Sequence, residues 1–220
     1  MLPTKRLFRG RKFYRSDLLE SARPDDPRTA VLQKIERQTF RAAKIVNGLL
    51  NFARPALADQ GLVDLHAVIN DVLSLLEHQM RSSSIQLRKD LADESPVVLG
   101  VEHKLQQVFL NLFLNARDAM PKGGWLSLST RQIGTWAVVE VGDTGQGIPT
   151  EQLARIYDPF FTTKPIGQGT GLGLSITYGI VQEHHGTLTC ESAPGHGTRF
   201  VLALPLAAAG ALTRPGQAVQ

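Results

Sequence analysis

The chain of 220 residues has one cysteine, Cys190, which excludes an internal disulfide and fits a reducing compartment. No apolar run reaches the roughly 18 residues needed to cross a bilayer, so no membrane span is expected in this chain. Acidic residues are missing from positions 1–15, where Lys5, Arg6, Arg9, Arg11, Lys12 and Arg15 stand. That stretch also lacks the continuous apolar segment of a secretory signal and reads as an N-terminal arm. Beyond it the chain carries 18 basic against 20 acidic residues. The net charge of +4 and the pI of 9.4 therefore belong to the arm, and no nucleic-acid-binding surface is expected. The remaining composition, 42% apolar and 20% charged, is that of a soluble globular protein long enough to bury a core.

Residues 25–52 have a helical pattern. Asp26 is placed to cap the helix, and Pro27 suits a first turn that needs no backbone donor. Val31, Ile35, Ala42, Ile45, Leu49 and Phe52 follow a near seven-residue repeat interrupted by Gln38, while Lys34, Arg37, Arg41 and Lys44 face away. Such a helix needs a partner helix. Residues 16–21 read as the end of a preceding helix and 22–26 as a turn, which together make a helical hairpin closed by Arg54-Pro55.

From residue 58 the pattern becomes mixed. Extended segments are expected at 62–65, 85–91, 97–100, 125–131, 136–142, 187–193 and 197–204, and helices at 66–81, 104–120 and 172–184. Read as consecutive antiparallel strands with helices before and between them, this predicts an α+β fold, a two-layer α/β sandwich preceded by the helical hairpin. The tail from 207 to 220, rich in Ala, Gly and Pro, is expected to be disordered.

Three stretches carry the chemistry. In QVFLNLFLNARDAM at 107–120, Leu105, Val108, Leu112, Ala116 and Ala119 make a core-facing stripe, while Gln107, Asn111, Asn115 and Asp118 recur on another face at helical spacing. Those oxygens suit Mg²⁺, a hard cation that binds nucleotide phosphates, although a plain solvated face explains them equally well. In DTGQGIP at 143–149, Asp143 ends an alternating strand and is placed to accept a hydrogen bond from an exocyclic amine, which would distinguish adenine from guanine; alone, an acidic residue before Gly-x-Gly is more often a turn. Phe160-Phe161-Thr162-Thr163-Lys164 leads into GTGLGL at 169–174, a glycine-rich loop opening a helix, where free backbone donors and a positive dipole end attract phosphates. The aromatic pair is expected to anchor a mobile lid on the core.

Together these stretches resemble the N, G1, F and G2 boxes of the GHKL superfamily's ATP-binding domain in its histidine-kinase branch, and Gly195-His196-Gly197-Thr198-Arg199-Phe200 resembles the final box. The resemblance implies a Bergerat fold over 58–206 and ATP with Mg²⁺ as ligands. It implies that Asn115 coordinates the metal, that Asn111 lies beside the phosphates and that Asp143 binds the adenine amine. Gly145 and Gly147 would border the base, and Lys164 with Gly169, Thr170, Gly171, Leu172 and Gly173 would cover the phosphates. Asp118 and Thr198 are further motif matches.

Residues 28–54 are similar to the second helix of the dimerisation and histidine-phosphotransfer hairpin of the same kinases, so 1–57 is expected to be a partial hairpin. The H-E-x-x-N-P-L box of its first helix is missing. Residues 1–13 hold no histidine, and His66, His78, His103, His184, His185 and His196 all lie in or after the ATP-binding region, where each reads as a surface or structural residue. The resemblance thus implies a cytoplasmic protein histidine kinase core of a two-component system, unable to autophosphorylate at the usual site. It would act as a homodimer or mixed dimer through the hairpin and have a response regulator receiver domain as partner. The competing reading is a non-catalytic ATP-binding, helix-pairing regulatory module. Chaperone, DNA-repair and anti-sigma branches of the superfamily fit the short lid and the helical stripe less well.

Overall fold

Alternation along two central strands sets the layers. In the computed structural model, which describes residues 60–165 and 169–207, strand β5 (Trp136–Asp143) buries Ala137, Val139 and Val141, and β7 (Thr198–Pro205) buries Phe200, Leu202 and Leu204. Residues between them, such as Glu140 and Arg199, point to the open face, where Arg199 bonds Glu140 at 2.6 Å and Glu191 at 2.9 Å. One face of the sheet is therefore apolar and covered, and the other is polar. All described residues belong to the second of two compact units, which begins at Phe52. The hairpin expected over 1–57 and nearly all of the tail expected over 207–220 lie outside them.

The main sheet has the order β2-β4-β5-β7-β6, with β2 at Ile85–Asp90, β4 at Gly124–Ile133 and β6 at Thr187–Ser192. Strands β1 (Gly61–Asp64) and β3 (Val97–Gly100) form a separate antiparallel pair. Two expectations change here. The strands are not all antiparallel: β2 runs parallel to β4, because the helix between them returns the chain before β4 begins. The strand at 97–100 also leaves the main sheet to pair with the first extended segment.

Helix α1 (Leu65–Ser82) starts where the Asp64 carboxylate accepts the Ala67 N–H at 2.9 Å. Its stripe of Leu65, Val68, Ile69, Val72, Leu73, Leu76 and Met80 faces the sheet. Helix α2 (Glu102–Ala119) is broader on its apolar side than the expected stripe. Phe109 and Phe113 are fully buried, whereas Ala119 is only half-buried. Truncating either phenylalanine to Ala is expected to cost about 3–5 kcal/mol. A short helix α3 (Thr150–Leu153) was not expected, and α4 (Gly173–Glu183) completes the helical layer. With these layers the chain has the α+β two-layer architecture expected of it.

Two titratable groups with shifted pKa values, one buried and one half-buried, sit within this frame. His184, just past α4, accepts the Val101 N–H on Nε2 at 3.0 Å and donates from Nδ1 to the Ile180 carbonyl at 2.7 Å, which ties β3 to the end of α4. Burial lowers its pKa, aided by the nearby Lys104 ammonium. On β6, burial pushes the half-buried Cys190 thiol up to about 12, with Asp143 and Glu191 adding to the effect.

The His184 pairing predicts a pH response. Above the ordinary imidazole value of 6.5 both folded and unfolded chains are neutral at this residue; below it, the unfolded chain takes up a proton that the folded site refuses, and stability is lost. The urea midpoint should fall between about pH 7.5 and 5.5, and the fall should be shallower in His184→Leu, although that variant starts less stable. An equally steep fall in the variant would reject the assignment.

Candidate nucleotide-binding site

Asn111, Asn115 and Asp118 share one face of α2, as the spacing requires. The Asn111 Nδ2 donates to the Gly173 carbonyl at 3.0 Å and to Thr177 Oγ1 at 3.2 Å, so this residue braces α2 against the start of α4. Asn115 makes no side-chain hydrogen bond among the described residues and is half-buried. Asp118 is fully engaged: Lys164 Nζ reaches its Oδ2 at 2.6 Å, and Arg117 Nε and Nη2 reach its Oδ1 at 2.9 and 2.6 Å. Burial pushes the Asp118 carboxyl up, but the Lys164 and Arg117 hydrogen bonds outweigh it and hold the group below its usual range.

Helix α4 opens without a side-chain cap, since its N-cap is Leu172. The amides of its first turn are thus available to an anion at the positive end of the helix dipole. Leu172 N–H is directed at Thr170 Oγ1, 3.4 Å away, and Phe160 N–H donates to the Gly171 carbonyl at 2.9 Å, which closes the loop on itself. A side chain at Gly169 would lie 2.3 Å from Thr162 Oγ1. The aromatic pair divides its tasks instead of anchoring jointly: Phe161 packs on the core under the Arg155 guanidinium, whereas Phe160 is 60% exposed.

At the other end, Asp143 terminates β5 opposite Thr198. Its Oδ1 accepts the Gly145 N–H at 2.8 Å, and the Thr198 backbone also donates to the carboxylate. Burial raises its pKa by more than these two donors lower it. Gly147 and Gly197 have φ of +68° and +77°, and a Cβ would come 2.0 Å from the Ala193 carbonyl oxygen at the first and 1.9 Å from that of Asp143 at the second. Gly145 rests on the end of α2, where a Cβ would lie 2.5 Å from the Ala119 carbonyl oxygen. These glycines allow three chain segments to touch backbone to backbone around Asp143.

Ser192 escaped the sequence reading. Its hydroxyl donates to the Gly197 carbonyl at 2.7 Å, accepts the Ile148 N–H at 2.8 Å and lies 3.0 Å from Thr198 Oγ1. It joins the loop after Asp143 to the β6–β7 turn. A serine before a Pro-Gly turn is too common a pattern to have signalled this.

The structure therefore brings the expected residues into two clusters. Asn111 and Gly173, and Asp118 and Lys164, meet around α2; Asp143, Gly145, Gly147 and Thr198 meet at the ends of β5 and β7. Among the described residues no group of three or more His, Cys, Asp or Glu is placed to hold a metal. A cation here would rest on few protein oxygens, with the half-buried and unengaged Asn115 amide as the fitting one, a donor set suited to Mg²⁺ shared with phosphates and water.

Residues 100–208 match the family of histidine kinase-, DNA gyrase B- and HSP90-like ATPases. The catalytic domain of the histidine kinase ThkA is 32% identical, superposes with a TM-score of 0.62, and is matched over 67% of this chain and 96% of its own. The chain belongs to the sensor histidine kinase family, through its GHKL ATP-binding domain. Among curated relatives, the sensor kinase CckA of Brucella abortus is 38% identical over 86% of this chain. The sensor histidine kinase ZraS of Escherichia coli O157:H7 is 37% identical over 79% of it. The chain spans 21% of the former and 38% of the latter. Among the described residues of this kinase-family domain, no helix is long and apolar enough to cross a membrane.

The backbone contact at Gly197 yields a prediction for this domain. Gly197→Ala should destabilise it by at least about 2 kcal/mol, since the new methyl group meets a carbonyl in a left-handed backbone. Urea unfolding measures this, and a change below about 0.5 kcal/mol, ordinary for a surface site, would show that the β6–β7 turn gives way freely.

Proposed function

We propose that the domain binds ATP with Mg²⁺ and serves the transfer of its terminal phosphoryl group to a histidine in two-component signal transduction. The observation that supports this most is that Lys164, through Asp118, and the uncapped start of α4, through Asn111, both meet the helix face that carries the unengaged Asn115 amide. On this reading Asn115 holds the metal, which when bound supplies charge neutralisation between the phosphates. Lys164 and the 169–173 backbone bind the phosphate tail. Asp143 retains acceptor capacity beyond the Gly145 and Thr198 bonds for the adenine amine, and would meet the guanine oxygen unfavourably.

Residues 58–206 form the catalytic domain in this proposal, and 1–57 an incomplete dimerisation and phosphotransfer hairpin without an H box, acting in a homodimer or mixed dimer in the cytoplasm. In an assay of these 220 residues the acceptor histidine must come from a second chain. The downstream partner is a response regulator receiver domain; ThkA has been crystallised with the response regulator protein TrrA.

The test is incubation with γ-labelled ATP and Mg²⁺, with and without a catalytically dead kinase that retains its acceptor histidine. Label should appear on that partner alone; bound ATP with no transfer would point to a regulatory module. Asn115→Ala should abolish Mg²⁺-dependent nucleotide binding, and unchanged binding would reject the metal role. Asp143→Asn should weaken ATP about tenfold or more, because one acceptor oxygen becomes a donor facing the amine. Equal ATP and GTP affinities before and after the substitution would reject the adenine role.

A further inference from the structure

We infer that Arg117 is a positioning residue, which sets Lys164 for a phosphate tail by neutralising and orienting Asp118. The inference rests on the nucleotide reading above and concerns a residue outside its contact set. Arg117 lies at the end of α2, and its guanidinium is used on both sides. Nη1 donates to Gln79 Oε1 on α1 at 2.5 Å, while Nε and Nη2 both reach Asp118 Oδ1. The second Asp118 oxygen takes Lys164 Nζ at 2.6 Å. A continuous polar chain thus runs from α1, through Arg117 and Asp118, to the lysine in the glycine-loop segment.

The charges in this chain matter more than its length. Asp118 alone beside the phosphate site would cancel Lys164 and repel a polyanion. With Arg117 on its other oxygen the trio has net positive charge, and the carboxylate acts as a fixed bracket for the ammonium. Lys164 uses one of three donors on Asp118 and keeps two. A lysine on a flexible stem would otherwise lose rotamer freedom on capturing phosphate, and holding it in place beforehand removes part of that cost. Side chains of Arg117, Asp118 and Lys164 are 27%, 30% and 33% exposed, so solvent screens these pairs only in part. The planar fork that spans Gln79 and Asp118 is a geometry lysine cannot reproduce.

The experiment is a pair of double-mutant cycles on Mg²⁺-ATP affinity, run by calorimetry on the full chain. Arg117→Ala should weaken ATP about fivefold, the upper range for a partly exposed ion pair, and Arg117→Lys should fall between it and the wild type. In the Lys164→Ala background, Arg117→Ala should cost nothing further, because the group it positions is gone. In the Asp143→Asn background its full fivefold loss should persist. Adenosine, which has no phosphates, should bind Arg117→Ala as it binds the wild type.

A loss that is additive with Lys164→Ala, or one equal for ATP and adenosine, would reduce Arg117 to a structural brace and overturn the inference while leaving the nucleotide reading intact. Absence of ATP binding by the wild type would overturn both. Should Arg117→Ala fail to fold, Gln79→Ala removes the outer brace alone and must show the same dependence on Lys164, with a smaller loss.

Discussion

The Ala119 carbonyl, in the last turn of α2, fixes the two ends of the site to each other. It accepts the Gln146 N–H at 3.0 Å, and Gly145 is pressed against it with no room for a side chain. The same helix carries Asn111, Asn115 and Asp118 along one face. One rigid rod therefore holds both the oxygen-bearing face of Asn111, Asn115 and Asp118 and the seat of the loop that follows Asp143. Any change in how α2 lies on the sheet would move both together, and its position is set by Leu105, Val108, Phe109, Leu112 and Phe113 packed into the core.

The candidate site residues stand out in the sequence because their chemistry is local. Asparagines spaced by four on a helix, an aspartate at a strand end and a glycine run before a helix each show in a few consecutive residues, and the structure gathers them into the two clusters described. The sandwich architecture was legible in the same way from strand alternation and helical stripes. Pairing direction was not, because it depends on where the chain returns: Ile85 to Asp90 look alike whether Gly124 to Ser129 run with or against them. Phe109 and Phe113 fall outside the narrow stripe beside the polar face, because packing buries a wider side of α2 than that spacing marks. Ser192 and Arg117 act across 44 and 38 residues of sequence, on Ile148 and Gln79, and nothing in their immediate neighbourhood announces such partners.

Several motif glycines take on a second meaning in the structure. The resemblance assigns Gly145 and Gly147 to the edge of a base, yet their surroundings are protein backbone: the end of α2 for one and the β6–β7 turn for the other. Their absence of side chains is required before any ligand arrives. The site is in this sense assembled by folding, with Asp143 held by neighbouring N–H groups and Lys164 by Asp118 in the protein alone.

Cys190 turns this packing into something that can be timed. A thiol whose ionisation is pushed up to about 12 is almost never a thiolate at neutral pH, so Cys190 should alkylate slowly in the folded protein. Modification should quicken where β6 opens and the thiol returns to its ordinary ionisation. As the chain has no other cysteine, its labelling reports on a single place, the edge of the sheet next to Thr198, and rises with the share of molecules in which that edge is open.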